Sequence, residues 1–200
     1  MTQDDGRSVD ADFKADLHRC LQQARDAVVW KLTGLSEYDI RRPLTPTGTN
    51  LLGLVKHLTG CEIGYFGHVF NRPMADPPTW LSNSTEVNVD MWATADESRA
   101  QILERYQRAC VHSDATIHEL DLDAAGTVPS WPEHRQSVTL HQILVHMLAE
   151  TSRHAGHADI VRELIDGSTG LFIDSAAAPA LDKTRWVEHR DRVERAAREH

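Results

Sequence analysis

Glu150 and His154 stand four residues apart in the segment LHQILVHMLAETSRHAGHADIVRELIDG, residues 140–167. On a helix that spacing stacks the two side chains on successive turns, where a carboxylate and an imidazole can grip one ion. A single helix does not readily supply all of a metal's protein ligands. His57, at the inward edge of a second apolar-periodic stretch, is the third donor. Two imidazoles and one carboxylate suit a divalent ion, Zn²⁺ first and Ni²⁺, Fe²⁺ or Mn²⁺ after it, and three protein ligands leave positions open for water or substrate. The competing reading is a hydrogen-bonded polar cluster in the core, and periodicity alone favours it, because EXXXH pairs arise by chance on many helices. Cys61, four residues after His57, and His146, one turn before Glu150, are rival ligands. Free cysteine is more often a small core filler. His68, His141 and His157 fit surface positions or a supporting role beside a ligand.

These residues need long helices to position them. Leu140, Ile143, Leu144, Met147, Thr151, Ala155, Ala158, Val161 and Ile165 recur at three- and four-residue steps, one face of a helix running to Gly167, its expected C-terminal cap. Thr139 and Gln142 form a capping box at its start. A first helix fits 12 to about 35, with Phe13, Leu17, Leu21, Ala24, Val28, Leu32 and Leu35 on one face. A second begins at Thr49 or Asn50 and runs to about 70 along Leu51, Leu54, Leu58, Cys61, Tyr65 and Val69. Thr94 and Glu97 predict a capping box for a third, from about 96 to 120, with Ile102, Tyr106, Ala109, Ser113 and Ile117 inward. Residues 73–93 read as a long loop whose Trp80 and Trp92 can wall a pocket or cover the end of a bundle. The chain therefore reads as all-α, a four-helix bundle without a convincing strand. Residues 1–11 read as a mobile N-terminus, 12–170 as the bundle, and 171–200 as a linker, SAAAPA, followed by a charged tail that can form an extra C-terminal helix.

With 200 residues the chain builds one well-filled domain. A net charge of −9 disfavours nucleic acid and anionic membranes as partners, since both reward clustered Lys and Arg. No apolar run is long enough to span a bilayer, and the N-terminus lacks a signal-peptide pattern, so a cytoplasmic location is expected. Cys20, Cys61 and Cys110 are an odd number without a CxxC pair, which suits reduced, mostly structural thiols.

The stretches LTPTGTNLLGLVKHLTGCEIGYFG (44–67) and HMLAETSRHAGHADIVRELIDG (146–167), with the tryptophan-bearing loop before the third helix, resemble the DinB-like superfamily. The nearest branch sits beside mycothiol-dependent maleylpyruvate isomerases and mycothiol or bacillithiol S-transferases. The resemblance implies an up-down-down-up bundle, commonly a homodimer, holding a divalent metal between His57 and the Glu150/His154 pair. Many members carry three histidines, and this chain has the Glu variant. His157 falls where relatives often have Gln, which implies a pocket or supporting residue and not a ligand. The activity implied is a metal-dependent S-transferase or thiol-dependent isomerase, with mycothiol as co-substrate and an electrophilic small molecule as acceptor. Arg153 and Arg162 are candidate contacts to a substrate carboxylate, or members of intrahelical ion pairs. A metal-dependent hydrolase and a non-catalytic, stress-related metal- or ligand-binding protein are the alternatives.

Overall fold

Asn50 opens the helix that carries His57: its side chain accepts a hydrogen bond from Gly53 N, satisfying one of the free donors of the first turn. The computed structural model describes residues 9–83, 86–173 and 183–199. Its four long helices are α1 (Val9–Trp30), α3 (Leu51–Glu62), α5 (Arg99–Glu119) and α6 (Leu140–Asp166), with a short α2 (Glu37–Arg41) between the first two. A π-helical turn, Ile63–Gly67, and a 3-10 turn, His68–Phe70, extend α3 to the expected end, where Asn71 adopts a left-handed conformation. The Thr139/Gln142 capping box and the left-handed Gly167 cap bound α6 as expected.

Polar contacts give the helix directions. Lys14 near the start of α1 donates to the carbonyl of Leu120 at the end of α5, so these two run opposite ways. Lys31 near the end of α1 pairs with Asp159 near the end of α6, so these two run together. Lys56 of α3 meets Glu97 just ahead of α5, and Ser113 farther along α5 meets the carbonyl of Glu62 at the end of α3, so that pair is also parallel. The bundle is all-α and up-down-down-up.

Two expectations are corrected. The connection between α5 and α6 contains an antiparallel ribbon, β1 (Ala125–Thr127) with β2 (Ser137–Thr139), in register Gly126 to Val138. Gly126 lets it press against the turn after α3, since a Cβ there would lie 2.7 Å from a Val69 methyl. The box that starts α5 is Ser98 with Gln101, and Thr94 and Glu97 form the turn before it. Glu97 Oε2 accepts from Thr94 N and also from Lys56 Nζ, a charge buried in α3, so it closes the turn ahead of the helix. The 73–93 connection also has local structure, with α4 (Thr79–Asn83) and a 3-10 turn at Val89–Met91.

The core fills between the helices as two clusters. One gathers Val28, Ile40, Leu54, Leu58, Tyr106 and Val161, and the other Leu21, Phe66, Ile117, Leu140 and Met147. Where α1, α3 and α5 meet, Arg25 makes a two-pronged pair with Glu62, at 2.8 and 2.7 Å, and a further bond to Asp114 at 2.7 Å. Both Arg25 and Glu62 are buried, so each depends on the other to replace lost hydration. The charged tail forms α7 (Lys183–Arg198), exposed along its length, with Trp186, Val187 and Val193 in solvent. The expected 1–11 terminus falls outside the described residues up to residue 8, and Val9 to Ala11 are already helical; the SAAAPA linker also lies outside them. Among the described residues no helix is long and apolar enough to cross a membrane.

Candidate metal centre

α3 is buried on nearly all sides, because the 73–98 connection covers its outward face while α5 and α6 cover the rest. Gly53 makes this possible. A Cβ at Gly53 would lie 1.8 Å from the carbonyl oxygen of Met91, so only glycine lets that connection lie directly on the helix. Asn50 holds the same carbonyl through its Nδ2 at 3.1 Å. The result is to bring Asp90 over the next turn, where its Oδ2 stands 2.7 Å from His57 Nδ1. With the Nδ1 proton donated to the carboxylate, the Nε2 lone pair of His57 points inward. A carboxylate behind a histidine in this way orients the ring and raises its basicity as a ligand.

His57 Nε2 faces Glu150 Oε1 at 3.4 Å, and Glu150 Oε1 lies 2.9 Å from His154 Nε2. One donor atom from each of the three residues lies within 4.8 Å of the others. The imidazoles meet edge to face, 4.7 Å between ring centres. His154 is buried, and burial, reinforced by the charges of His57 and Arg153, lowers its pKa to about 4, so the ring is neutral at pH 7. Burial pulls Glu150 upward, but hydrogen bonds from Arg153 and His154 outweigh it and hold its carboxyl near about 2. Glu150 is thus anionic and the His154 ring neutral at pH 7, and the three residues fit a divalent ion by their chemistry.

The neighbours divide into those that reach this trio and those that do not. Arg153 does: it grips Glu150 through Nε at 3.2 Å and Nη2 at 2.6 Å, and Nη2 lies 2.9 Å from His154 Nε2. His157 is exposed, with Nδ1 3.4 Å from His154 Nδ1, so it touches a member of the trio from outside. Arg162 is turned away. It donates to the carbonyls of Lys31 and Thr33 and pairs with Asp166, tying the ends of α1 and α6 together. Cys61 Sγ is 3.5 Å from His57 Nε2, but burial, with Glu150 next in weight, pushes the thiol up to about 12 and keeps it protonated. His146 sits between Tyr65 and Trp131, at ring distances of 4.5 and 5.0 Å.

Beside the trio opens a cavity of about 760 Å³. Of the trio only His57 lines it, with Asp90 and Cys61, and Trp80 and Leu81 of α4 form one wall. The ribbon residues Ala125, Gly126 and Thr127, with Pro129 and Ser130, form another. Gly60 seats the indole of Trp80, whose ring carbons a Cβ there would meet at 3.3 Å. Asn71, Ser130, Ser137 and Thr127 supply polar groups, and no Lys or Arg is among its lining residues. Trp92 stays partly in solvent and lends its carbonyl to Lys56.

A family model, mycothiol-S-transferase, matches residues 16–167 of the chain. The chain belongs to the mycothiol-S-transferase family. That family lies within the DinB-like superfamily, and membership supports a thiol S-transferase-like role with a small-molecule thiol as substrate. The match spans all four bundle helices and ends at Gly167, so α7 lies beyond it. No curated protein matches the chain.

Sequence reasoning missed Asp90. It sits in a connection whose path over α3 is set by Gly53 and Asn50, and a carboxylate in a loop carries no periodic signal of its own. Gly53 was the available sign, because a glycine within a helix, one turn before a candidate ligand, marks a close backbone approach.

Proposed function

We propose that this member of the mycothiol-S-transferase family is a metal-dependent S-transferase that joins a mycothiol-type thiol to an electrophilic small molecule. The observation that carries the reading is the convergence of His57 Nε2, Glu150 Oε1 and a His154 ring nitrogen beside a large cavity. A divalent ion held there, Zn²⁺ first, supplies positive charge that favours the thiolate form of an incoming thiol at neutral pH. The protein's own groups do the rest. Asp90 aims His57, Glu150 stays ionised, and the His154 ring stays neutral.

The cavity presents an indole face and hydroxyl and amide groups, and no Lys or Arg is among its lining residues. Such a lining suits an uncharged, hydroxyl-rich thiol. In transfer the sulfur forms a bond to the electrophilic carbon, whose leaving group departs with its electron pair, or whose neighbouring carbon gains a proton in a conjugate addition. A homodimer, on the strength of the superfamily resemblance, and a cytoplasmic location, on the lack of a bilayer-spanning apolar run and of a signal-peptide pattern, complete the proposal.

The test follows consumption of mycothiol by a neutral electrophile with zinc-loaded wild type and with Glu150→Ala. The proposal expects consumption that the substitution abolishes. Equal rates for the two proteins refute it, and turnover of an ester in place of the thiol would mean a metal-dependent hydrolase.

A further inference from the structure

Arg153 covers the atoms that a divalent ion would use. Its Nη2 lies 2.6 Å from Glu150 Oε1 and 2.9 Å from His154 Nε2. Glu150 and His154 are two of the three residues in the proposed ligand set. His154 is buried and Glu150 largely so, whereas the Arg153 side chain is 53% exposed, so the guanidinium stands between the trio and solvent. The side chain is also tethered beside the site, since Arg153 is the residue before His154 and three after Glu150 on α6. A guanidinium and a divalent ion cannot share one carboxylate oxygen at close range without strong repulsion. Arg153 differs in this from the other arginines near α6, since Arg162 is committed to the carbonyls of Lys31 and Thr33 and to Asp166.

We infer that Arg153 is a tethered competitor for the divalent ion, holding Glu150 until the ion displaces its Nη2 from Oε1. The inference rests on the metal reading proposed above and adds a control on occupancy to it. The contact to Glu150 Oε2, made through Nε, is not on the shared oxygen. Displacement of Nη2 therefore leaves the side chain anchored at the rim of the site. The arrangement weakens metal binding and discriminates against ions that cannot outcompete a fixed cation, so a weakly held ion is excluded first.

The experiment titrates Zn²⁺ alone into wild type, Arg153→Ala, Arg153→Lys and His57→Ala against a chromophoric chelator at pH 7, with thermal melting of each protein. Removing a partly exposed charge-assisted pair is expected to tighten Zn²⁺ about three- to tenfold in Arg153→Ala. Arg153→Lys, which keeps the charge but loses the fork, falls between it and wild type. Equal or weaker binding by Arg153→Ala, with His57→Ala still impaired, overturns the competitor role and leaves the site standing. Wild type and His57→Ala binding alike overturns both.

Discussion

Gly53→Ala separates the positioning of the site from the stability of the fold. The new Cβ would meet the Met91 carbonyl oxygen at 1.8 Å and its carbon at 2.5 Å, where real contacts essentially never fall under 3.0 Å. The obstacle is backbone, so the connection must retreat by more than 1 Å. Overpacking of this kind costs about 1–3 kcal/mol. Replacing glycine by alanine in a helix returns about 1 kcal/mol. The net is a loss of about 0–2 kcal/mol, a fall in melting temperature of up to about 8 °C for a chain of this size. The larger effect is on the ligand. Asp90 is the residue before Met91, and its 2.7 Å bond to His57 moves with the connection. Loss of such a carboxylate behind a histidine lowers metal affinity by about 10–100-fold. Chelator-competition titration of Zn²⁺ would read this in Gly53→Ala, Asp90→Ala and the double variant. Because both single changes act through one contact, adding Gly53→Ala to Asp90→Ala should alter affinity by no more than about twofold, while the melting penalty persists. Wild-type affinity in Gly53→Ala, or two losses that multiply in the double variant, would refute the positioning role.

Other outcomes follow from the same contacts. Glu62→Leu leaves the Arg25 guanidinium buried beside Asp114 alone and should cost about 3–5 kcal/mol, measured by urea unfolding. Trp80→Ala should raise KM for the thiol several-fold with little change in kcat, since the indole walls the cavity without touching the trio; a fall in kcat alone would contradict that placement. Stability should fall on acidification in two overlapping windows. His154 is held below its usual pKa of 6.5, at about 4, so the unfolded chain takes up the proton first and stability is lost from about pH 6.5 down to 4. Glu150, held near about 2 against an ordinary 4.5, adds its loss from about pH 4.5 downward, and His154→Gln should flatten the upper window in a pH series of melts.

The helices that carry the site were legible because their signals are local and periodic. The inward residues of α5 and α6 are those the spacing marked, and Asn50, the Thr139/Gln142 box and Gly167 act as the caps they resemble. The three-residue convergence was legible too, since an i, i+4 pair on one helix and an inward histidine on another restrict each other strongly. Long-range electrostatics were not legible. The start of α5 was placed a few residues early: Glu97 accepts from Thr94 N as expected, but it also binds the buried Lys56, 41 residues before it, and the helix starts at the Ser98/Gln101 box. The β1–β2 ribbon escaped notice because three-residue strands, AGT and SVT, have no room for an alternating pattern. Of the two readings of Arg162, the intrahelical ion pair is the one present, with Asp166, and its bonds to the carbonyls of Lys31 and Thr33 just past α1 had no signal in the sequence.

The central claim, that His57, Glu150 and His154 hold one ion with a position open to a thiolate, is tested most directly by cobalt substitution. Adding Co²⁺ and then mycothiol to wild type should give one ion per chain, and then a thiolate-to-cobalt absorption band that is lost in His57→Ala. An unchanged Co²⁺ stoichiometry in His57→Ala, or no band when the thiol is added to the cobalt-loaded wild type, would contradict it.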